Sequence, residues 1–155
     1  MKRNFGSYEF EHICTIQPAR DDADNILLFR PQADYAKKDE RKLHAYGNGA
    51  FCRFRIPKDL HLEGVYIITA NAEATYIGEC IDLAQRYNMG YGQISPRNCY
   101  TGGQPTNCRI NKLIFTMVQK GQQVDLWFYA TSNRKHIESE LIKSLDMLSR
   151  WNQKG

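Results

Sequence analysis

Apolar and polar residues alternate from the start of the chain. Tyr8, Phe10, His12, Cys14 and Ile16 fall on one side of an extended backbone, and this period of two predicts a strand over 8–16. The polar run 18–25 (PARDDADN) predicts a loop, and 25–30 a second short strand. Residues 37–42 (KKDERK) are densely charged and predict a solvated helix or loop. Gly47-Asn48-Gly49 marks a turn before 51–56, a strand rich in aromatic and apolar residues that Pro57 stops. From residue 62 the pattern sharpens. Residues 64–69 (GVYIIT) predict a buried strand, Asn71-Ala72-Glu73 a turn, and 75–78 (TYIG) a second strand, together an antiparallel hairpin. Residues 82–87 open a helix. Residues 88–105, with four glycines and two prolines, predict a long loop, and long loops inside compact domains are usually functional. Thr106 or Asn107 caps a helix to about Lys120 that Gly121 ends. A third strand follows over 125–131, and Asn133 caps a last helix from Arg134 to about Ser149.

From residue 62 onward the order is therefore β-β-α-loop-α-β-α. It predicts an α+β fold, a small antiparallel three-stranded sheet flanked by helices. Residues 1–61 are expected to form a β-rich N-terminal extension of the same domain, and 62–155 the main unit. A chain of 155 residues matches one ordinary domain. Its 42% apolar and 25% charged residues exclude a mostly disordered chain. No apolar run approaches the ~20 residues of a membrane helix, so no membrane partner is expected. Met1-Lys2-Arg3 leads into polar residues, not an apolar signal core, and a cytoplasmic location is the expectation. The five cysteines (Cys14, Cys52, Cys80, Cys99, Cys108) are odd in number and widely spaced, without a CxxC pair. Reduced, mostly buried thiols are expected. Cys99 and Cys108, nine apart with no His nearby, are only a weak zinc motif.

Charge changes the picture more. The net charge is +4, and it is unevenly spread. From Leu83 to Val124 there is no Asp or Glu, while Arg86, Arg97, Arg109, Lys112 and Lys120 are present. This segment is a candidate anion-binding face. On the last helix, Leu141, Leu145 and Leu148 fall within about 80° of Ile137 and mark the core side. Glu138 falls beside that stripe and Glu140 well away from it. A carboxylate next to a core stripe is costly unless paired or metal-bound. Arg86 ends the first short helix, where a guanidinium can grip a phosphate in bidentate fashion. Tyr66 and Tyr76 stand on the two strands of the predicted hairpin.

These residues carry a resemblance. Gly64-Val65-Tyr66 followed by Tyr76-Ile77-Gly78 resembles the paired signature of the GIY-YIG nuclease superfamily. Arg86 stands ten residues beyond the second-motif Tyr, as that family's Arg does. Glu138-Ser-Glu-Leu-Ile resembles the family's Glu-x-x-Leu-Ile helix, and Trp151-Asn152 its terminal motif. The resemblance covers residues 64–152. It implies a divalent-metal-dependent endonuclease that hydrolyses DNA phosphodiester bonds, of the restriction or defence kind. Glu138 is then the metal ligand for Mg²⁺ or Mn²⁺, and Arg86 holds a non-bridging oxygen. Tyr66 and Tyr76 position the attacking water, one of them as its base if a cation lowers its pKa. Asn152 orients the site.

Two positions depart from the family's pattern. Glu79 stands where many members have Lys, and Gly90 where many have a His or Tyr, with Tyr87 and Tyr91 the closest substitutes. Glu140, twelve residues before Asn152, competes with Glu138 as ligand, and the core-side position favours Glu138. Arg97, Arg109 and Lys112 in the acid-free stretch are candidate phosphate contacts. Asn98, Gln104, Asn107 and Asn111 are candidate base or backbone contacts, and Tyr91 and Tyr100 candidate stacking residues. A double-strand cut by one small site calls for a homodimer or for sequential nicking. The alternative, motivated by Glu79 and Gly90, is a DNA-binding module of the same fold that does not cleave.

Overall fold

The computed structural model describes residues 1–147 and Asn152. Five strands, β1 (Lys2–Phe5), β2 (Tyr8–Thr15), β3 (Gly64–Ala70), β4 (Glu73–Cys80) and β5 (Val124–Ala130), form one antiparallel sheet. Their order is β1-β2-β5-β3-β4. Three helices accompany it: α1 (Leu83–Arg86), α2 (Pro105–Gln119) and α3 (Arg134–Ser144). The α+β class and the order of elements from residue 64 agree with the sequence pattern. The three-stranded expectation is corrected to five strands, because the N-terminal hairpin joins the same sheet. There β2 pairs with β5, Glu11 opposite Phe128 and Thr15 opposite Asp125. The physical reason is β5 itself: Val124, Asp125, Leu126, Trp127 and Phe128 are all buried. An unpaired edge made of such residues would leave buried backbone groups unsatisfied.

Sheet faces explain two further corrections. A bulge between His12 and Cys14 shifts the β2 register. His12 therefore lies opposite Trp127 on one face and Cys14 opposite Leu126 on the other, so the alternation 8–16 does not stay on one side. Residues 25–30 and 51–56 form no strand of the sheet. They meet through a single bridge in which Phe29 and Phe51 exchange two backbone hydrogen bonds of 2.8 Å. The aromatic and apolar residues of 51–56 mark burial instead: Phe51, Cys52, Phe54 and Ile56 are buried while Arg53 and Arg55 are exposed. Residues 37–42 are an exposed, non-helical segment.

Helix ends also move. Asp82 caps α1 by accepting from the Gln85 N–H at 3.0 Å. The helix then widens into a π-helical turn over Tyr87–Tyr91. The start of α2 is set by Pro105 in its first turn, without a side-chain cap from Thr106 or Asn107. Gly121, at φ +81°, ends it as expected. α3 stops at Ser144, and Asp146 adopts a left-handed φ of +53°. Leu148 and Trp151 lie outside the described residues.

The sheet separates two cores. On one face Tyr66, Ile68, Tyr76, Leu126 and Phe128 pack with α1, α2 and the segment around Phe54. On the other, Val65, Ile67, Ile77 and Trp127 pack with Phe5, Phe10 and with Ile137 and Leu141 of α3. Among the described residues no helix is long and apolar enough to cross a membrane. The β3–β4 turn places Asn71 at φ +48° and Ala72 at φ +68°. An alanine is strained there and a glycine is not. Ala72→Gly is accordingly expected to stabilise the protein by roughly 0.5–1 kcal/mol, seen as a rise of about 2–4 °C in Tm. A fall in Tm would refute this account of the turn.

Candidate active site

Strand register builds the centre of the site. In the β3–β4 pair Tyr66 lies opposite Gly78 and Ile68 opposite Tyr76, so both tyrosines point to the α1–α2 face. Gly78 is there for space: a Cβ at this position would lie 2.3 Å from both Cζ and Oη of Tyr66. The π-helical turn delivers two more phenols, Tyr87 and Tyr91. Tyr66 has ring centroids of Tyr87, Tyr91 and Tyr76 at 5.2, 6.1 and 6.2 Å. The hydroxyls of Tyr66 and Tyr91 share a hydrogen bond of 2.5 Å. Tyr91, expected as a stacking residue, is completely buried and belongs to this cluster instead. The Tyr87 hydroxyl is buried without a partner among the described residues.

Burial governs the chemistry of these phenols. It pushes Tyr66 well above the ordinary tyrosine range; Tyr91, Tyr76 and Tyr87 add to the push, and Arg86 opposes it. Tyr76 is likewise raised, by burial first and by Tyr91 next, with Arg109 pulling the other way. The expectation that a cation lowers one tyrosine into the range of a base is thus corrected. Arg86 does act on Tyr66 in that direction, but desolvation outweighs it. Both phenols keep their protons at neutral pH.

Arg86 follows from the short helix after β4. It makes no ion pair among the described residues, and Tyr66 and Tyr91 are its nearest electrostatic partners. Glu138 sits on α3, on the opposite face of the sheet, half-buried beside Ile137. It has no hydrogen bond or ion pair among the described residues. Its carboxyl is raised to about 7, by burial first and by Glu79 next, against the pull of Arg86 and Arg134. Glu138 therefore feels groups from both faces, Tyr76 included. β4 is the edge strand of the sheet, and these groups meet around that edge. Glu140, the competing ligand, is exposed and engaged elsewhere: it accepts from the Tyr8 hydroxyl at 3.0 Å and lies 3.7 Å from His136.

Asn152 closes the same edge. Its Oδ1 accepts from the Ile77 N–H at 2.9 Å and its Nδ2 donates to the Ile77 carbonyl at 2.7 Å. The side chain thereby pairs with the free side of β4 between Tyr76 and Gly78, a positioning contact. The unexpected Glu79 does not stand alone: Arg134 pairs with it and also donates from Nε to Glu63 at 3.0 Å. A cation from the first turn of α3 thus offsets the carboxylate that departs from the family's pattern. Nothing in the local sequence around Arg134 signalled this pairing.

The candidate nucleic-acid contacts separate into two groups. Asn111 is fully buried; its amide donates to the carbonyls of Cys52 (2.9 Å) and Tyr91 (2.8 Å), and its Oδ1 accepts from the Cys52 N–H. It holds the loop together and is not a surface contact. Lys112 donates to the Asn48 carbonyl at 2.6 Å and lies over the Phe51 ring. Tyr100 is buried and donates to the Gln32 carbonyl at 2.7 Å, so it offers no free stacking face. Asn98 accepts from the Gln104 N–H at 3.2 Å. Arg109 is largely buried against the face of Tyr76, its guanidinium 6.0 Å from the ring centroid, which makes it a neighbour of the tyrosine cluster. Arg97 is exposed on a 3-10 turn over Pro96–Cys99. Gln104 and Asn107 line a cleft beside Arg86.

Among the described residues no three His, Cys, Asp or Glu side chains are grouped to hold a metal ion. Glu138 is instead a single half-buried carboxylate, raised to about 7, whose proton a cation could replace. One hard oxygen ligand fits Mg²⁺ or Mn²⁺, which keep several waters; it does not fit a closed zinc centre. No protein-family model, characterised protein or solved structure matches this chain.

Proposed function

We propose that this protein is a divalent-metal-dependent endonuclease acting on DNA, of the kind the GIY-YIG resemblance implies. The observation that carries the reading is the approach of a half-buried carboxylate without an ion pair, Glu138, to a guanidinium without an ion pair, Arg86, and to two strand-borne phenols, Tyr66 and Tyr76, around the edge of β4. These residues come from separate elements of the chain. A packing role alone gives no reason for a half-buried carboxylate, Glu138, to stand without an ion pair.

Each side chain has a task in phosphodiester hydrolysis. Glu138 would hold the cation, which supplies charge neutralisation at the leaving oxygen. Arg86 grips a non-bridging phosphate oxygen and offsets the charge that grows on it in the transition state. Tyr66 and Tyr76 retain their protons, so neither abstracts one from water; Tyr76, the more accessible of the two, orients the attacking water, and Tyr66, buried beneath it, holds the cluster in place. Tyr91 fixes the Tyr66 hydroxyl. Asn152 locks the β4 backbone that carries Tyr76.

The test is cleavage of supercoiled plasmid with Mg²⁺ or Mn²⁺. Wild type and Glu140→Ala are expected to cut and Glu138→Ala to lose at least about 10²-fold in rate, with DNA binding kept. Salt-sensitive DNA binding by wild type, with plasmid and genomic DNA left intact by either metal, would favour the non-cleaving module instead.

A further inference from the structure

Between the π-helical turn and the start of α2 lies a cleft of about 310 Å³, lined by Gln85, Arg86, Met89, Gly90, Gln104 and Asn107. We infer that this cleft is a base-reading subsite: it takes a DNA nucleobase beside the phosphate held by Arg86, with Gln85, Gln104 and Asn107 selecting the base and Met89 wedging open the adjoining step. The inference rests on the DNA-nuclease reading of the neighbouring site, with which it shares Arg86.

The amides carry the argument. This stretch of chain is rich in them, and several are spent on the fold. Asn88 exchanges two hydrogen bonds with the backbone of Ile56, Asn98 accepts from Gln104 N–H, and Asn111 ties Cys52 to Tyr91. The side chains of Gln85, Gln104 and Asn107 have no hydrogen-bond partner among the described residues, and all three face one cleft. A side-chain amide presents a donor and an acceptor side by side, the pattern that matches a base edge. A phosphate accepts only and would leave the amide oxygens unmatched. Asp82 completes the lining, and its carboxylate, held by the Gln85 N–H and by His61 at 3.0 Å, would repel a second phosphate.

Met89 is the independent observation. It stands on the π-helical turn with 74% of its surface exposed, at the rim of this cleft and of a second one of about 430 Å³ that Phe29, Arg53 and Gln93 help to line. Its position between two clefts, more than its exposure alone, marks it out. Apolar wedges of this type enter base steps and unstack them. Single π-helical turns recur at functional sites, and this one lifts Met89 outward while turning Tyr87 and Tyr91 into the core.

The experiment uses the full chain in two parallel assays. In the first, without divalent cation, the protein selects from duplexes with a randomised core, and the bound fraction is sequenced. Wild type is expected to prefer particular bases. Gln104→Ala, Gln85→Ala and Asn107→Ala should each lose about 10-fold or more of that preference at one or two adjacent positions and keep it elsewhere. Gln85 and Gln104 are exposed, so their replacement leaves the packing intact. In a duplex carrying 2-aminopurine at that step, wild type should raise the fluorescence and Met89→Ala should not. The second assay is plasmid cleavage with Mg²⁺. Base preference that responds to these variants, without cleavage, keeps the subsite and overturns the nuclease reading. Cleavage with no base preference, or with one that all three amide variants leave unchanged, keeps the nuclease and overturns the subsite. Equal fluorescence from wild type and Met89→Ala overturns the wedge. Absence of any DNA binding overturns the subsite outright.

Discussion

Glu138→Gln is expected to make the protein more stable at pH 8 while removing the metal-dependent cleavage proposed for it. The sign follows from the carboxyl's surroundings. Burial and the neighbouring Glu79 raise it from an ordinary 4.5 to about 7 in the folded protein. Between those values the folded chain holds a proton that the unfolded chain has released. The stability associated with that proton is complete below about 4.5 and is lost as pH rises through about 7. Gln cannot ionise and escapes the loss. The variant should therefore match wild type near pH 4.5 and exceed it by roughly 1–3 kcal/mol above pH 8, a Tm gain of roughly 2–8 °C. Cleavage should fall at least about 10²–10³-fold, since the amide is a poor ligand for a hard cation. Melting curves of both proteins across this pH range, without metal, check the first half. An equal or lower Tm at pH 8 would mean that Glu138 has a counter-charge and is an ordinary structural carboxylate. Stability set against function in this way is common where a site keeps a charge in poor solvent.

Gly78→Ala should have the second large effect, and it concerns shape alone. The added methyl would meet the ring carbon and hydroxyl of Tyr66 at 2.3 Å, inside a completely buried cluster. Tyr66 cannot swing aside without losing the Tyr91 hydroxyl and the packing of Tyr87. The cost is expected to be about 1–3 kcal/mol or more, with loss of cleavage as Tyr66 is displaced. A double-mutant cycle isolates the cause: in a Tyr66→Ala background, Gly78→Ala should cost almost nothing, because the space is vacant. The same cost in both backgrounds would place the strain elsewhere in β4. Here the glycine of the second motif is explained by a cross-strand contact and not by backbone freedom.

Much of this was legible from residues alone where the signal was local. A period-two run located β2, short apolar runs located β3 and β5, and a polar turn between two apolar runs located the β3–β4 hairpin. The wheel of the last helix picked Glu138 over Glu140, and the structure leaves Glu138 half-buried and unpaired while Tyr8 and His136 engage Glu140. Local patterns failed wherever the partner lies far along the chain. The run 25–30 has strand-like composition, yet it finds only isolated backbone partners, Ile26 across from Arg20 and Phe29 across from Phe51. Asn111 and Tyr100 look like polar residues of the acid-free stretch available to a ligand, but distant backbone carbonyls at Cys52, Tyr91 and Gln32 claim them. Tyr91 looks like a surface aromatic, and a π-helical turn rotates it into the core.

The amino-acid order by itself determined the class of fold, the succession of elements after residue 64, and the residue types able to grip a phosphate and a cation. Those properties depend on near-neighbour periodicity and on side-chain chemistry, both of which are written along the chain. Tertiary structure decided the rest. It extended the sheet to five strands because β5 is buried and needed a second partner. It brought Glu138 from one face of the sheet towards Tyr76 and Arg86 on the other around the edge of β4, and it sealed that edge with Asn152. It also decided which amides are spent on the fold and which remain free beside Arg86. These outcomes hang on contacts between residues tens of positions apart, where burial and competition for hydrogen bonds, and not local preference, select the arrangement.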